Sequence, residues 1–182
     1  MSLYSALPTT FRDYIAQSGV ALAVSEMAQD APLSIVNRSF CELTGYSQDE
    51  VMGKNCRFLQ GTGTSGAQRQ ALHDFVHGAG DDNGRFPILN YRKDGTSFHN
   101  FVFMSRLRDP EGKVRFILAS QFDMSSAMQR SRIAQNDEQL ANALTDLDQI
   151  GREFGLAMMG SAQLIADSVA MMARLSFDDK RR

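Results

Sequence analysis

Cysteine and histidine are scarce in this 182-residue chain. Cys41 and Cys56 are its only thiols, and His73, His77 and His99 its only imidazoles. A structural zinc site takes about four ligands drawn mainly from these residues, so the sequence argues against one. A Cys41–Cys56 disulfide would need an oxidising compartment, and Met1–Thr10 lacks the basic-then-apolar form of a secretory leader. No window reaches the roughly 20 apolar residues that cross a bilayer. An excess of positive charge is lacking too. The formal net charge is −2, which argues against a general electrostatic grip on nucleic acid. What remains is 43% hydrophobic and 22% charged, the composition of a soluble globular protein, expected in the cytoplasm.

Proline is missing altogether beyond Ser125, and there the chain changes character. Before that point, short segments alternate with turn signals. Phe11, Tyr14 and Ile15 in "FRDYIAQSG" have helical spacing, with Gly19 as a stop. "VALAV" (20–24) and "PLSIVN" (32–37) read as strands joined by a turn holding Asp30 and Pro32. "RSFCELTGYS" is a short helix ended by Gly45, and "SQDEVMG" opens with a capping box of Ser47 and Glu50. "SGAQRQALHDFVHGAG" is a longer helix with Leu72, Phe75 and Val76 on its apolar face. Three strands then follow, turned at Asp94-Gly95 and at "DPEG". The expected fold class is α+β: a five-stranded antiparallel sheet with helices on one face. It occupies 20–124, between an N-terminal helical cap (1–19) and a helical extension (125–182).

The extension carries a heptad seam: Ile133, Leu140, Leu147 and Phe154 at one position, Ala143, Ile150, Ala157 and Leu164 at another. Such a seam implies a partner helix. Gly151, Gly155 and Gly160 weaken its middle, so two helices with a bend are expected.

"GKNCRFLQG" (53–61) sets Cys56 between Asn55 and Arg57. A free thiol beside a cation could be a nucleophile, a metal ligand or a core residue. Strand parity supplies a context. Asn90 shares a face with Ile88, Asn100 with Val102 and Met104, and Gln121 with Ala119 and Ile117. Carboxamides among apolar neighbours need hydrogen-bond partners if buried. A flat heterocycle with donors and acceptors on its edge would supply them; the alternative is that these faces meet solvent.

The nine-residue stretch resembles the signature of LOV domains, the flavin-binding blue-light receptors of the PAS fold. The resemblance covers about 20–124 and continues in "NRSFCELTGYSQDEVMG", "ILNYRKDG", "SFHN" and "FILASQFD". It implies bound FMN, or a related flavin such as riboflavin or FAD, and a reversible bond from Cys56 to the flavin C4a after blue light. It further implies that Asn55 and Gln60 line the ligand, Arg57 pairs with the FMN phosphate, Asn90 and Asn100 read the pyrimidine edge, and Gln121 sits by N5. Protonation of N5 would turn an acceptor into a donor, and a glutamine can answer by rotating its amide. Two departures stand out. Many relatives carry a second phosphate arginine where this chain has His73, with Arg69 nearby to substitute. The loop before Pro32 reads "QDAP" and lacks the usual asparagine, which leaves Asp30 as a candidate contact. Ser25 keeps a hydroxyl where threonine is frequent. Cys41 has no accompanying motif and reads as packing.

No enzymatic effector is legible: there is no Walker-type glycine loop, and the extension contains no histidine to accept a phosphoryl group. Its acidic stretch "NDEQLANALTDLDQI" argues against DNA. The expected partners are a second copy of the chain, joined through the C-terminal and N-terminal helices in a light-dependent way, or an unidentified protein. Competing readings are a flavin redox sensor without adduct chemistry, and a PAS-type interaction module without cofactor.

Overall fold

The computed structural model of the protein describes residues 7–28, 30–109 and 111–126. The heptad seam therefore lies outside the described residues. In chain order the elements are α1 (Thr9–Gln17), β1 (Ala21–Glu26), β2 (Leu33–Val36), α2 (Arg38–Thr44), α3 (Gln48–Val51), a 3₁₀ turn (Cys56–Leu59), α4 (Gly66–Val76), β3 (Asn83–Tyr91), β4 (Ser97–Arg108) and β5 (Val114–Asp123). The strands form one antiparallel sheet in the order β2-β1-β5-β4-β3. Pro87 lies within β3, at the sheet edge, where a residue without N–H costs no ladder bond.

Strand alternation splits the apolar residues between two layers. Ala21, Ala23, Leu33 and Val36 pack with Phe40, Val51 and Leu59 from the helical segments after β2. Leu22, Val24, Ile35, Leu107, Phe116 and Leu118 form the other layer, covered by Leu7, Phe11 and Ile15. The N-terminal helix thus caps the sheet face opposite α2, leaving the other face to the helices that shape the site. Burying the side chains of Leu7, Phe11 and Ile15 at about 1.5–3 kcal/mol each makes this cap a substantial contributor to stability.

Asn37 joins the two layers. Its Oδ1 accepts from the backbone N–H groups of Leu22 and Phe40, both at 3.0 Å, which caps α2. Its Nδ2 donates to the carbonyls of Ile15, Ser18 and Val20 at 2.7–3.1 Å. Gly45 ends α2 at φ +77, a left-handed conformation that costs other residues free energy. Tyr46 lies past that helix end, yet its ring packs edge-on against Phe58 at 5.0 Å. The capping box of Ser47 and Glu50 is present at α3.

Arg106 was not singled out in the sequence, and it anchors α4. The residue is 3% exposed, and its guanidinium donates to the carbonyls of Phe75, Ala79, Gly80 and Asp81 at 2.7–3.1 Å. It also stacks on the Phe75 ring at 4.3 Å. A cation at the C-terminal end of a helix satisfies orphan carbonyls and complements the dipole. This fixes the end of α4 over the sheet.

Candidate functional site

A cavity of about 400 Å³ lies between α4, the 3₁₀ turn and the helix-side face of the sheet, a size suited to a small-molecule ligand. Its wall is the parity pattern made solid. Ile88 and Asn90 from β3, Asn100, Val102 and Met104 from β4, and Ile117, Ala119 and Gln121 from β5 all line it. Register brings them together, with Asn100 opposite Ile88 and Val102 opposite Gln121.

The three carboxamides are buried and form one network. Asn100 Nδ2 donates to Asn90 Oδ1 and to Gln121 Oε1, both at 2.9 Å. Asn90 Nδ2 donates to the Leu59 carbonyl at 3.2 Å. Two atoms are left over, Asn100 Oδ1 and Gln121 Nε2, which are buried without a partner. One accepts and the other donates. Orphans of this kind cost about 1–3 kcal/mol each, and a bound heterocycle presenting both a donor and an acceptor would relieve them. The residues fit a flavin on this ground.

The thiol faces the same space. Asn55 caps the 3₁₀ turn, its Oδ1 accepting from the Arg57 N–H at 2.9 Å, and Cys56 begins it. Cys56 is half-buried and lines the cavity. Burial pushes its pKa up to about 12, so at neutral pH it is a thiol carrying its proton. Cys41, on α2, packs against the apolar cluster around Phe40 and is not among the cavity residues. Its pKa is raised by burial and by the neighbouring Glu42. Gly61, closing the motif, has its own reason: a Cβ there would come within 2.5 Å of the Tyr91 ring.

The remaining expected residues also line the cavity: Ser25 from β1, Asn55 and Gln60 from either side of the turn, and Arg57, Arg69 and His73. Arg57 is engaged by Asp30, and Arg69 donates to the Gly61 carbonyl at 2.6 Å. Asp30 itself is not a lining residue. Leu72 and Val76 on α4 are only half-buried because they face this cavity, while Phe75 alone of the expected apolar face is fully buried. Sequence reasoning missed Gln70 and His77. Spacing held the clue to His77, since a residue four positions after His73 shares its helix face; the two rings stack at 3.9 Å.

Comparison with known proteins agrees with this geometry. The PAS domain family model matches residues 20–126. Blue-light-activated histidine kinase 1 of Erythrobacter litoralis is 33% identical over 135 residues, covering 74% of this chain and 37% of the kinase. The solved LOV domain of a blue-light activated histidine kinase from Erythrobacter litoralis is 36% identical, with a TM-score of 0.56, covering 60% of this chain and 99% of that one. The structure of an RNA-binding light-oxygen-voltage receptor is 32% identical, with a TM-score of 0.63, covering 79% of this chain and 39% of that one. The chain spans a little over a third of the length of the first curated relatives it matches. No helix among the described residues is long and apolar enough to cross a membrane. With its motif cysteine and carboxamide wall around one cavity, the chain belongs to the PAS domain family, as a LOV domain.

Proposed function

We propose that the chain is a blue-light sensor that holds FMN in this cavity and responds through Cys56 and Gln121. The observation that carries the reading is the meeting of the motif cysteine with three buried carboxamides, two of them holding an unpartnered amide atom, around one cavity. Asn90, Asn100 and Gln121 would hold the polar edge of the ring system, with Asn55, Gln60 and Ser25 around it and Arg57, Arg69 and His73 toward the tail. When bound, the flavin supplies blue-light absorption and a C4a=N5 bond across which a thiol adds reversibly, sulfur to carbon and proton to nitrogen. Cys56 brings both the sulfur and the proton, because burial keeps its S–H intact.

Gln121 reads the change. Its Oε1 accepts from Asn100 and its Nε2 has no partner, which leaves a spare donor on a residue that lines the cavity. Rotating its amide would present Oε1 to a new donor there. It would also set the Gln121 NH₂ against the Asn100 NH₂, breaking their hydrogen bond unless Asn100 turns as well. Asn100 in turn is tied to Asn90, so the rearrangement spans three strands. β5 leads from Gln121 straight to Asp123, which pairs with Arg92 at 2.5 Å and accepts from the Ser125 N–H at 2.8 Å. Met124 N–H and Ser125 Oγ bond the His99 backbone. A strain on β5 therefore bears on the start of the extension. The output we infer is a change in self-association through the terminal helices.

The test is a visible absorption spectrum of the purified chain, before and after blue illumination. Bleaching that reverses in the dark supports the reading. Bleaching that requires a reductant would favour the redox alternative, and a colourless protein reconstituted with no flavin would favour a cofactor-free module.

A further inference from the structure

The cavity mouth carries an ion pair that the flavin reading does not absorb. Arg57 is held by Asp30 through both ends of its guanidinium, Nη1 to Oδ2 at 2.7 Å and Nη2 to Oδ1 at 2.6 Å. This fork-on-fork geometry is the one a guanidinium offers to a phosphate. A carboxylate of the same chain therefore occupies the guanidinium that would grip an anionic ligand tail.

The placement of Asp30 is built into its loop. The next residue, Ala31, is the only non-glycine at positive φ among the described residues, at φ 50. It is buried and lines the cavity. Alanine enters this region at a cost of about 1–2 kcal/mol, so surrounding contacts must hold it there. They are visible: Pro32 bridges to Asn55, and Asn55 Nδ2 donates to the Asp30 carbonyl. Asn55 thus fixes the loop with its amide nitrogen and caps the 3₁₀ turn with its oxygen. Both partners of the ion pair are tied to the same asparagine.

The other basic groups at the mouth have no carboxylate fork. Arg69 donates to the Gly61 carbonyl. His73 and His77 stack on each other, and Asp74 lies 3.5 Å from His73 Nδ1. Among the described residues no Asp or Glu lines the cavity itself, which leaves Asp30 as the acidic group paired with a guanidinium there.

We propose that Asp30 sets the choice between phosphorylated and unphosphorylated flavins by competing for Arg57. This rests on the flavin reading above and extends it to the selectivity of the same site. A phosphate monoester carries about −1.5 to −2 charges at neutral pH. To reach Arg57 it must displace Asp30 and then remain near that carboxylate. A riboflavin tail is uncharged and meets neither obstacle. The pair is 57% and 63% exposed, so it is weak enough to be displaced and close enough to penalise the anion. FMN preference over riboflavin is accordingly held down in the native chain.

The test uses the full chain stripped of ligand, with dissociation constants for FMN and for riboflavin measured in the dark by quenching of flavin fluorescence. Asp30→Asn is expected to tighten FMN about two- to fivefold, the scale of an exposed charge interaction, and to leave riboflavin unchanged. Asp30→Ser, which also removes the charge, should give the same shift if the asparagine variant folds poorly. Arg57→Gln should weaken FMN, leave riboflavin alone, and abolish the gain from Asp30→Asn in the double variant. An FMN-to-riboflavin ratio indifferent to Asp30 overturns the proposal, as does a gain that survives in the Arg57→Gln background. If the native chain binds neither flavin, the flavin reading falls and this inference with it. If it binds both and the ratio ignores Asp30, this inference falls alone.

Discussion

Replacing Gln121 with leucine separates what the amide network costs from what it does. In the ligand-free chain, Gln121 provides one good hydrogen bond, accepting from Asn100 at 2.9 Å, and one liability, a buried Nε2 without a partner. Losing the first costs about 0.5–1.5 kcal/mol, and removing the second returns about 1–3 kcal/mol. Asn100 keeps its bond to Asn90 through one N–H, but the other, given to Gln121, is left without an acceptor, which raises the cost of the lost bond to about 1–3 kcal/mol. Leucine would also extend an apolar wall already made by Val102, Ile117 and Ala119. The two terms offset, so the ligand-free Gln121→Leu variant should match the native chain to within about 1 kcal/mol. That is a shift of no more than a few degrees in melting temperature for a domain of this size. With flavin bound the two proteins separate. The variant lacks a donor to the ring, and its affinity should drop about fivefold for a loss near 1 kcal/mol. Thermal melts of the apo and loaded forms of both proteins read both effects. Destabilisation of the apo variant by more than about 1 kcal/mol would mean that Nε2 is satisfied without ligand and that no orphaned donor awaits one. In the loaded variant, leucine cannot exchange donor for acceptor, so the light-minus-dark change in hydrogen exchange after Asp123 should shrink. An undiminished change would mean that the signal leaves β5 by another route.

Other consequences follow from particular contacts. Arg106→Leu removes the guanidinium donor from the carbonyls of Ala79, Gly80 and Asp81 just past α4, and from that of Phe75, which keeps the Gly78 N–H, and should cost about 3 kcal/mol in urea unfolding; a loss below about 1 kcal/mol would show that water replaces the guanidinium. Glu50 has its pKa pushed down to about 2, first by the hydrogen bond from Lys93 and then by the Ser47 N–H. Because folding lowers this pKa, its stabilisation is present above the unfolded value of about 4.5 and fades as pH falls toward 2. The melting gap between native chain and Glu50→Gln should thus close between these pH values, and a gap unchanged at pH 2 would contradict the assignment. The heptad seam of Ile133, Leu140, Leu147 and Phe154 should give a dimer whose association constant changes on illumination, by roughly 5–150-fold for a typical coupling; identical monomeric light scattering in dark and light would exclude the dimer switch.

Much of the site was legible because it is periodic or local. The alternation of β3, β4 and β5 placed Asn90, Asn100 and Gln121 on one face, and the cavity wall follows that alternation residue by residue. The motif from Gly53 to Gly61 forms a contiguous turn whose cap and thiol are neighbours in sequence. The features that sequence did not disclose depend on distant partners. Asp30 meets Arg57 across 27 positions, and only the fold of the β1–β2 loop decides that it faces the guanidinium and is not a lining residue of the cavity. Arg106 looks like any strand-end charge until α4 lies over it and offers its carbonyls. The α1 helix was visible from its apolar spacing, but which sheet face it covers depends on Leu107, Phe116 and Leu118 in strands about 100 residues later.

In the proposed sensor, Cys56 is the group that answers light. The most direct measurement is the light-minus-dark visible spectrum of flavin-loaded native chain beside flavin-loaded Cys56→Ala. Removing one sulfur leaves the carboxamide wall intact, so the variant should still fold, bind flavin and show the same dark spectrum. The native chain should bleach under blue light and recover in the dark, whereas the variant, with Cys41 as its only thiol, should show no reversible bleaching. Reversible bleaching of the same form in Cys56→Ala would contradict the claim.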